Sequence, residues 1–345
     1  QQALAIYRAE GDHLGEARCL NMLGFITVTS GDKAGAQAHF EQALSLYYLV
    51  GDRQGEATIL NNLGNIALLL HDYEAAQSHH EQSLAIRREI DDRPAETKSL
   101  VNMGRVALAL GSYARARDYS EQAVALAREL GSRNLEGVGL VGLSASAHGL
   151  GNDQAAREYA AQAVAIAQEI GARQDEGYAL GHLARALLGL DELSEASDVY
   201  ERGRVLYDSL GQPTSALEFE AGLARVALRQ GETTQALARV QTILTWLGEH
   251  GDDGLDDPLE LYLTCYEVQA GEATRRDDVR SHLHRAHTIL QAQAARIQSE
   301  PLRDQFLHAV DSHRAIMAAW EQVAPDISKE ASNVSDEARP CASEG

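Results

Sequence analysis

A phrase of seventeen residues recurs three times in this chain at a constant distance. LNMLGFITVTSGDKAGA begins at Leu20, LNNLGNIALLLHDYEAA at Leu60 and LVNMGRVALALGSYARA at Leu100, so the spacing is forty residues each time. A fixed period of this length is typical of repeat architectures, in which each unit buries its apolar face against its neighbours. The period therefore favours a stack of similar units over one globular core for these 345 residues.

Turn-forming residues divide each period in half. One series comprises Gly11, Gly51, Asp91, Gly131, Gly171, Gly211 and Gly251, and the other comprises Gly31, His71, Gly111, Gly151, Asp191, Gly231 and Gly271. The segments between them carry apolar residues at helical spacing. Glycine suits the left-handed residue that ends a helix, and the Asp after Gly11, Gly31 and Gly51 suits the N-cap of the next helix. Each period therefore predicts a helical hairpin.

Small residues also recur at forty-residue spacing and predict close packing within each hairpin. Gly24, Gly64 and Gly104 each follow a large apolar residue in the first helix. The second helices carry an alanine column at Ala36, Ala76, Ala116, Ala156, Ala196 and Ala236. Small side chains on both helices allow the two backbones to approach closely, so each copy of the phrase meets the same packing requirement.

These residues resemble the pattern of the tetratricopeptide repeat family. In the second full copy, Leu60, the pair Leu63-Gly64 and Ala76 match that pattern, and the resemblance extends over about residues 1–297. The period is forty residues rather than the usual 34. Repeats of this length are similar to those of spindle-orientation adaptors and of sensor arms in bacterial signal-transduction ATPases and transcriptional regulators. The resemblance implies an all-α solenoid of about seven hairpins with C-terminal capping helices.

The register predicts the following division of the chain. Residues 1–10 are the second helix of a truncated repeat, which leads us to expect more protein before it. Residues 11–250 form six hairpins, 251–297 a divergent seventh hairpin, 298–324 a capping helix and 325–345 a disordered tail. Residues 278–297 and 300–323 read as two amphipathic helices. Acidic residues in the tail raise the alternative that it folds back as an internal ligand.

The composition argues against several classes of partner. The formal net charge of −21 disfavours binding to nucleic acid or to an anionic membrane surface. No apolar run reaches the length of a membrane-spanning helix. Three cysteines far apart indicate no disulfide framework, which favours a reduced, cytoplasmic location. The Ala- and Arg-rich composition favours a bacterial source.

No pattern indicates catalysis or a bound cofactor. The phosphate-binding GxxxxGK[ST] loop and the GxGxxG, GxSxG and HExxH motifs are all absent. Of the histidines in SHLHRAH only His284 and His287 share a helix face, and packed or solvated side chains explain them better than a metal. We therefore predict no catalytic residue, no cofactor, no metal and no enzymatic activity.

The resemblance implies that a ligand binds along a concave groove lined by the first helix of each hairpin. Of the 35 positions that the family pattern assigns to this groove, six are basic and one is acidic, whereas the composition of the whole chain predicts about three and about five. We predict ligand-binding roles for Arg18, Asn21, Asn61, Asn65, Lys98, Arg105, Tyr178, Arg185, Arg225 and Arg229.

A groove with this charge predicts a protein or peptide partner that carries an acidic segment. Arginine offers forked donors for carboxylates, and the asparagines offer hydrogen bonds to a peptide backbone. The predicted function is an interaction scaffold or a ligand-sensing arm of a larger signalling protein, monomeric without its ligand. Two alternatives stay open: a solenoid that self-associates through its ends or convex face, and arginine stems that only cover apolar surface and pair with neighbouring glutamates.

Overall fold

The computed structural model describes residues 2–252, 255, 257–270 and 276–323. Within these ranges the chain forms seventeen helices and no strand, which confirms the all-α repeat fold. The predicted disordered tail, residues 325–345, lies outside the described residues. The helices are α1 Gln2–Glu10, α2 His13–Thr29, α3 Lys33–Val50, α4 Arg53–Leu69, α5 Tyr73–Glu89, α6 Arg93–Ala109, α7 Tyr113–Glu129, α8 Arg133–Gly149, α9 Asp153–Ile170, α10 Arg173–Gly189, α11 Leu193–Ser209, α12 Pro213–Arg229, α13 Thr233–His250, α14 Pro258–Gln269, α15 Arg276–Ala294, α16 Glu300–Ala309 and α17 311–323.

The turn residues act as the period predicts. The side chains of Asp12, Asp32 and Asp52 accept hydrogen bonds from backbone N–H groups three residues later, at 2.8–2.9 Å. These bonds satisfy donors that the first turn of a helix leaves without partners. The described glycines of both series have a positive φ, and His71 and Asp91 also have a positive φ, at 57° and 55°. The positions at which another residue replaces glycine therefore keep the turn geometry.

The core lies between the two helices of each hairpin. Every member of the alanine column from Ala36 to Ala236 is completely buried. Opposite it, two glycines of the first helices admit large side chains: a Cβ atom on Gly24 would lie 2.4 Å from the Phe40 ring, and one on Gly64 would lie 2.6 Å from the His80 ring. A larger residue at either position would force the facing ring to shift. Consecutive helices pack against each other from α2 with α3 to α9 with α10.

The chain divides into two compact units, and the sequence-based division into segments stays a prediction. The first unit contains residues 1–199 and 295–305, and the second contains residues 200–294 together with 306 onward. In the first unit, the segment 295–305 lies against the turn between α4 and α5. Glu74 accepts hydrogen bonds from the backbone N–H groups of Gln298 and Ser299 at 2.8 and 3.1 Å, and Arg296 donates to the carbonyl oxygen of Leu70.

The last two helices differ from the single helix predicted over 300–323. The chain bends at Val310, so α16 and α17 are separate. His313 lies at this bend, and its Nδ1 is 2.7 Å from the carbonyl oxygen of Phe306. The fully buried Phe306 ring also contacts the His313 ring. The sequence predicted one helix because an apolar stripe can continue across a bend. The pattern carries no information about where backbone hydrogen bonding stops.

Candidate peptide-binding surface on the first helices

The first helices of the first unit form one continuous surface, which we call the first-helix surface: α2, α4, α6, α8 and α10. Asparagines connect neighbouring helices of this surface. The Nδ2 of Asn62 donates to Oδ1 of Asn21 at 3.0 Å, and the Nδ2 of Asn102 donates to Oδ1 of Asn61 at 2.9 Å. The amide oxygens of Asn21 and Asn61 therefore hold helices together, while their amide nitrogens have no partner among the described residues.

Three predicted cations of the first-helix surface carry no ion pair. The side chains of Arg18, Lys98 and Arg105 are exposed, and none has a carboxylate partner in the described part of the chain. The charge of Arg105 also affects a histidine that is buried inside its hairpin. Burial, together with the nearby Arg105 and Arg87, lowers the pKa of the His80 imidazole to about 4. Burial also lowers the pKa of His182, and the exposed Arg185 acts in the same direction.

The two uncharged members of the predicted set occupy different environments. The Oδ1 of Asn65 is buried without a hydrogen-bond donor among the described residues. The Tyr178 side chain is 58% exposed, and its ring meets the edge of the His182 ring at a centroid distance of 5.1 Å. Tyr178 is therefore available to a ligand. The Oδ1 of Asn65 is buried, so it can accept a hydrogen bond from a ligand only if the surface around it opens.

Arg225 and Arg229 belong to the second unit. Arg225 makes an ion pair with Glu260, and its Nε lies 3.9 Å from a carboxylate oxygen of Glu267. Its guanidinium is thus already neutralised, as the alternative reading of these arginines expects. Arg225 is the weakest member of the predicted set, and sequence spacing could not reveal this pairing because it depends on how α12 and α14 pack.

Comparison with known proteins agrees with this geometry. The family model described as Tetratricopeptide repeat matches residues 1–48 and 55–129, and the same register continues through the later hairpins. The matched part of the chain, within residues 1–129, belongs to the tetratricopeptide repeat family. No curated protein matches the sequence.

Solved structures show the same fold at low sequence identity. The apo form of RapI superposes with a TM-score of 0.65 at 12% identity, covering 80% of this chain and 99% of its own. A Rap protein complexed with the competence and sporulation factor gives 0.57 at 12%, covering 90% and 99%. A signal-transduction ATPase with a tetratricopeptide repeat sensor, from Pyrococcus horikoshii, gives 0.54 at 15%, covering 84% of this chain and 44% of its own.

An ion-pair ladder along the turns between tetratricopeptide repeats escaped the sequence reasoning. Arg53 contacts Glu89 at 2.5 Å, and Arg93 contacts Glu129 at 2.6 Å. The same pair recurs one repeat later between positions 133 and 169. These exposed pairs raise the pKa of each arginine by hydrogen bonding and lower that of Glu129. Arginines and glutamates at forty-residue spacing were the sequence signal for this ladder.

The histidines and cysteines provide no metal site in the described ranges. No group of three or more His, Cys, Asp or Glu side chains there has the arrangement of a metal centre. The ring of His287 stacks on Trp320 at 4.4 Å, and that of His284 lies 5.3 Å from the same indole. Cys265 is buried, which raises the pKa of its thiol to about 12. None of the described helices is both long and apolar enough to cross a bilayer.

Proposed function

We propose that the chain is a peptide-binding module of a bacterial, cytoplasmic signalling protein, and that it binds an acidic peptide segment on the first-helix surface. The observation that carries this proposal is that Arg18, Lys98 and Arg105 have no carboxylate partner among the described residues. In a chain of charge −21, glutamates are plentiful, and the arginines of the turn ladder all have one. Cations that have no carboxylate partner on one surface favour a ligand that supplies carboxylates.

The fold and its neighbours support a role in binding rather than catalysis. Stacked helical repeats present a long continuous surface to partners. The structurally similar Rap protein is complexed with a competence and sporulation factor, and the repeat of the Pyrococcus ATPase is a sensor. Asn21 and Asn61 contribute their amide N–H groups to the backbone of the bound segment, Tyr178 and Arg185 extend the surface over α10, and no catalytic group is assigned.

The test compares two variants with the same change in charge. Fluorescence anisotropy would measure binding of a ten-residue glutamate-rich peptide and of its glutamine counterpart. Replacing Arg18, Lys98 and Arg105 by glutamine is expected to weaken binding of the glutamate peptide roughly tenfold, with the difference shrinking at high salt. The control replaces three arginines of the turns, Arg88→Gln, Arg93→Gln and Arg128→Gln. Equal losses in both variants, or no loss in the first, would refute the assigned surface.

Exposed apolar residues on α2 favour self-association as a second candidate function. Ile26 is 60% exposed, whereas its equivalents Ile66 and Val106 are 3% and 1% exposed. Met22 and Phe25 are exposed beside it, and a cavity of about 360 Å³ opens between α1 and α2. Sedimentation velocity over a range of concentrations would decide, because self-association through this face predicts a mass that rises with concentration in the native protein and not in an Ile26→Glu variant.

A further inference from the structure

One junction between repeats contains a cavity with an apolar wall. It lies where α8, α9 and α10 meet and has a volume of about 80 Å³. Its wall is formed by aliphatic side chains and its rim by polar ones, Asn134 and Asp175, with the exposed Tyr178 ring beside them. The wall consists of Val138, Val141, Ala163, Ile166, Ala167 and Ile170.

The repeat register shows how the residues at this junction differ from those at earlier ones. At several junctions, the last turn of a second helix faces the first turn of the next first helix through two residues eight apart. Where the first is large the second is small: a Cβ on Gly15 would lie 2.4 Å from Tyr7, and one on Gly55 would lie 2.3 Å from Tyr47. At the next junction Arg87 reaches the carbonyl oxygen of Ala95 at 2.6 Å.

The two following junctions both have a small first residue. Leu135 stands eight residues after Ala127, whereas Asp175 stands eight residues after Ala167 and lines the same cavity. The carboxylate of Asp175 turns to the rim, where its Oδ2 accepts a hydrogen bond from Nδ2 of Asn134 at 3.0 Å. Neither Ala167 nor Asp175 fills the space between the helices, and both line the cavity.

We infer that this cavity, the Ala167 cavity, takes an aliphatic side chain of the acidic segment, which therefore carries a leucine- or isoleucine-sized anchor. This inference rests on the proposed function and adds a requirement to it. The cavity is about half the volume of an engineered apolar cavity that binds benzene, so a branched aliphatic chain fits and an aromatic ring does not. The remaining carboxylate oxygen of Asp175 is positioned to accept a backbone N–H at the rim.

The charges around the Ala167 cavity determine how far the acidic residues of the ligand lie from its aliphatic anchor. Lys98 on α6 occupies the position equivalent to Val138 on α8, forty residues earlier, and lies about 10 Å from it. Arg185 lies two turns beyond Tyr178 along α10, also about 10 Å. An extended peptide covers about 3.3 Å per residue, so acidic residues about three positions from the anchor meet these cations. The ligand class is thus a peptide with an aliphatic residue flanked at that distance by carboxylates.

The experiment uses ten-residue fluorescent peptides with glutamate three positions before and after a central residue, which is leucine, phenylalanine or glycine. In the native protein the leucine peptide is expected to bind about tenfold more tightly than the glycine peptide, because the cavity buries the side chain. Phenylalanine should gain little. The double variant Ala167→Tyr with Asp175→Gly copies the pair of Tyr47 and Gly55, fills the cavity and should abolish the advantage of leucine.

A matched control places the same pair one repeat earlier, with Ala127→Tyr and Leu135→Gly, and should keep the preference for leucine. Thermal unfolding would check that each variant folds, and the single change Ala167→Leu is a milder filling. Equal binding of the leucine and glycine peptides to the native protein would overturn the cavity while leaving the acidic-peptide proposal intact. Failure of every glutamate peptide to bind would overturn both.

Discussion

Replacement of His80 by phenylalanine is expected to stabilise the first unit and to reduce its sensitivity to acid. His80 is completely buried against Gly64, and neither ring nitrogen has a hydrogen-bond partner in the described part of the chain. The equivalent residue one repeat earlier is Phe40, which packs on Gly24 with the same close approach. The change therefore copies a native pair while removing unsatisfied polar atoms, for which we expect a gain of about 1–3 kcal/mol.

The pH dependence follows from the lowered pKa. Burial, together with Arg105, Arg87 and His79, lowers the pKa of the folded-state imidazole from 6.5 to about 4. Between these values the unfolded chain binds a proton that the folded chain excludes, so stability falls as the pH falls. The contribution is complete above pH 6.5 and decreases by about 2 kcal/mol between pH 7 and pH 5. The His80→Phe variant lacks this loss.

Urea unfolding followed by circular dichroism at both pH values would measure the difference, with an unchanged dependence on urea showing that the folded state is comparable. The reverse substitution, Phe40→His, is the matched control and should destabilise the protein more at pH 5 than at pH 7. An unfolding midpoint of His80→Phe that keeps the native pH dependence would show that this imidazole is hydrated or hydrogen-bonded in solution.

Three further outcomes can be measured on the same material. Gly131→Ala should lower the unfolding free energy by about 1 kcal/mol, because φ at this turn is 65° and a Cβ is strained there; a neutral result would mean that the turn relaxes. Glu74→Ala should speed hydrogen exchange at the two backbone amides that this carboxylate binds, and Glu74→Gln should do so less. Arg93→Gln should destabilise only slightly and less at high salt, since its pair with Glu129 is exposed; an effect as large as that of a core substitution would contradict this.

Local features of the fold were readable from the chain because they repeat. Gly51, Asp52 and Ala76 each stand in a column of equivalents, so helix ends and hairpin packing could be predicted with their physical reasons. The pairing of Arg225 with Glu260 could not, because neither residue belongs to a repeated pair. The docking of the segment 295–305 was equally hidden, since its contacts join residues more than two hundred positions apart.

The Ala167 cavity lies between these cases. The facing pairs, such as Tyr47 with Gly55 and Ala167 with Asp175, are visible in the sequence once it is known which two positions meet. Only the structure shows that they meet. The unpaired state of Lys98 and Arg105 is similar: spacing places them on the first helices, but the absence of a neighbouring carboxylate there depends on the packing of the described residues.

The contact between Glu74 and the segment 295–305 has a consequence for folding. Hairpins that touch only their neighbours can form early and in any order. This contact closes a loop of more than two hundred residues, a step whose entropic cost grows with loop length and which slows folding. We therefore expect the hairpins of the first unit to form before this edge closes, so that protease added early in refolding cuts near residue 298 while the repeats already resist it.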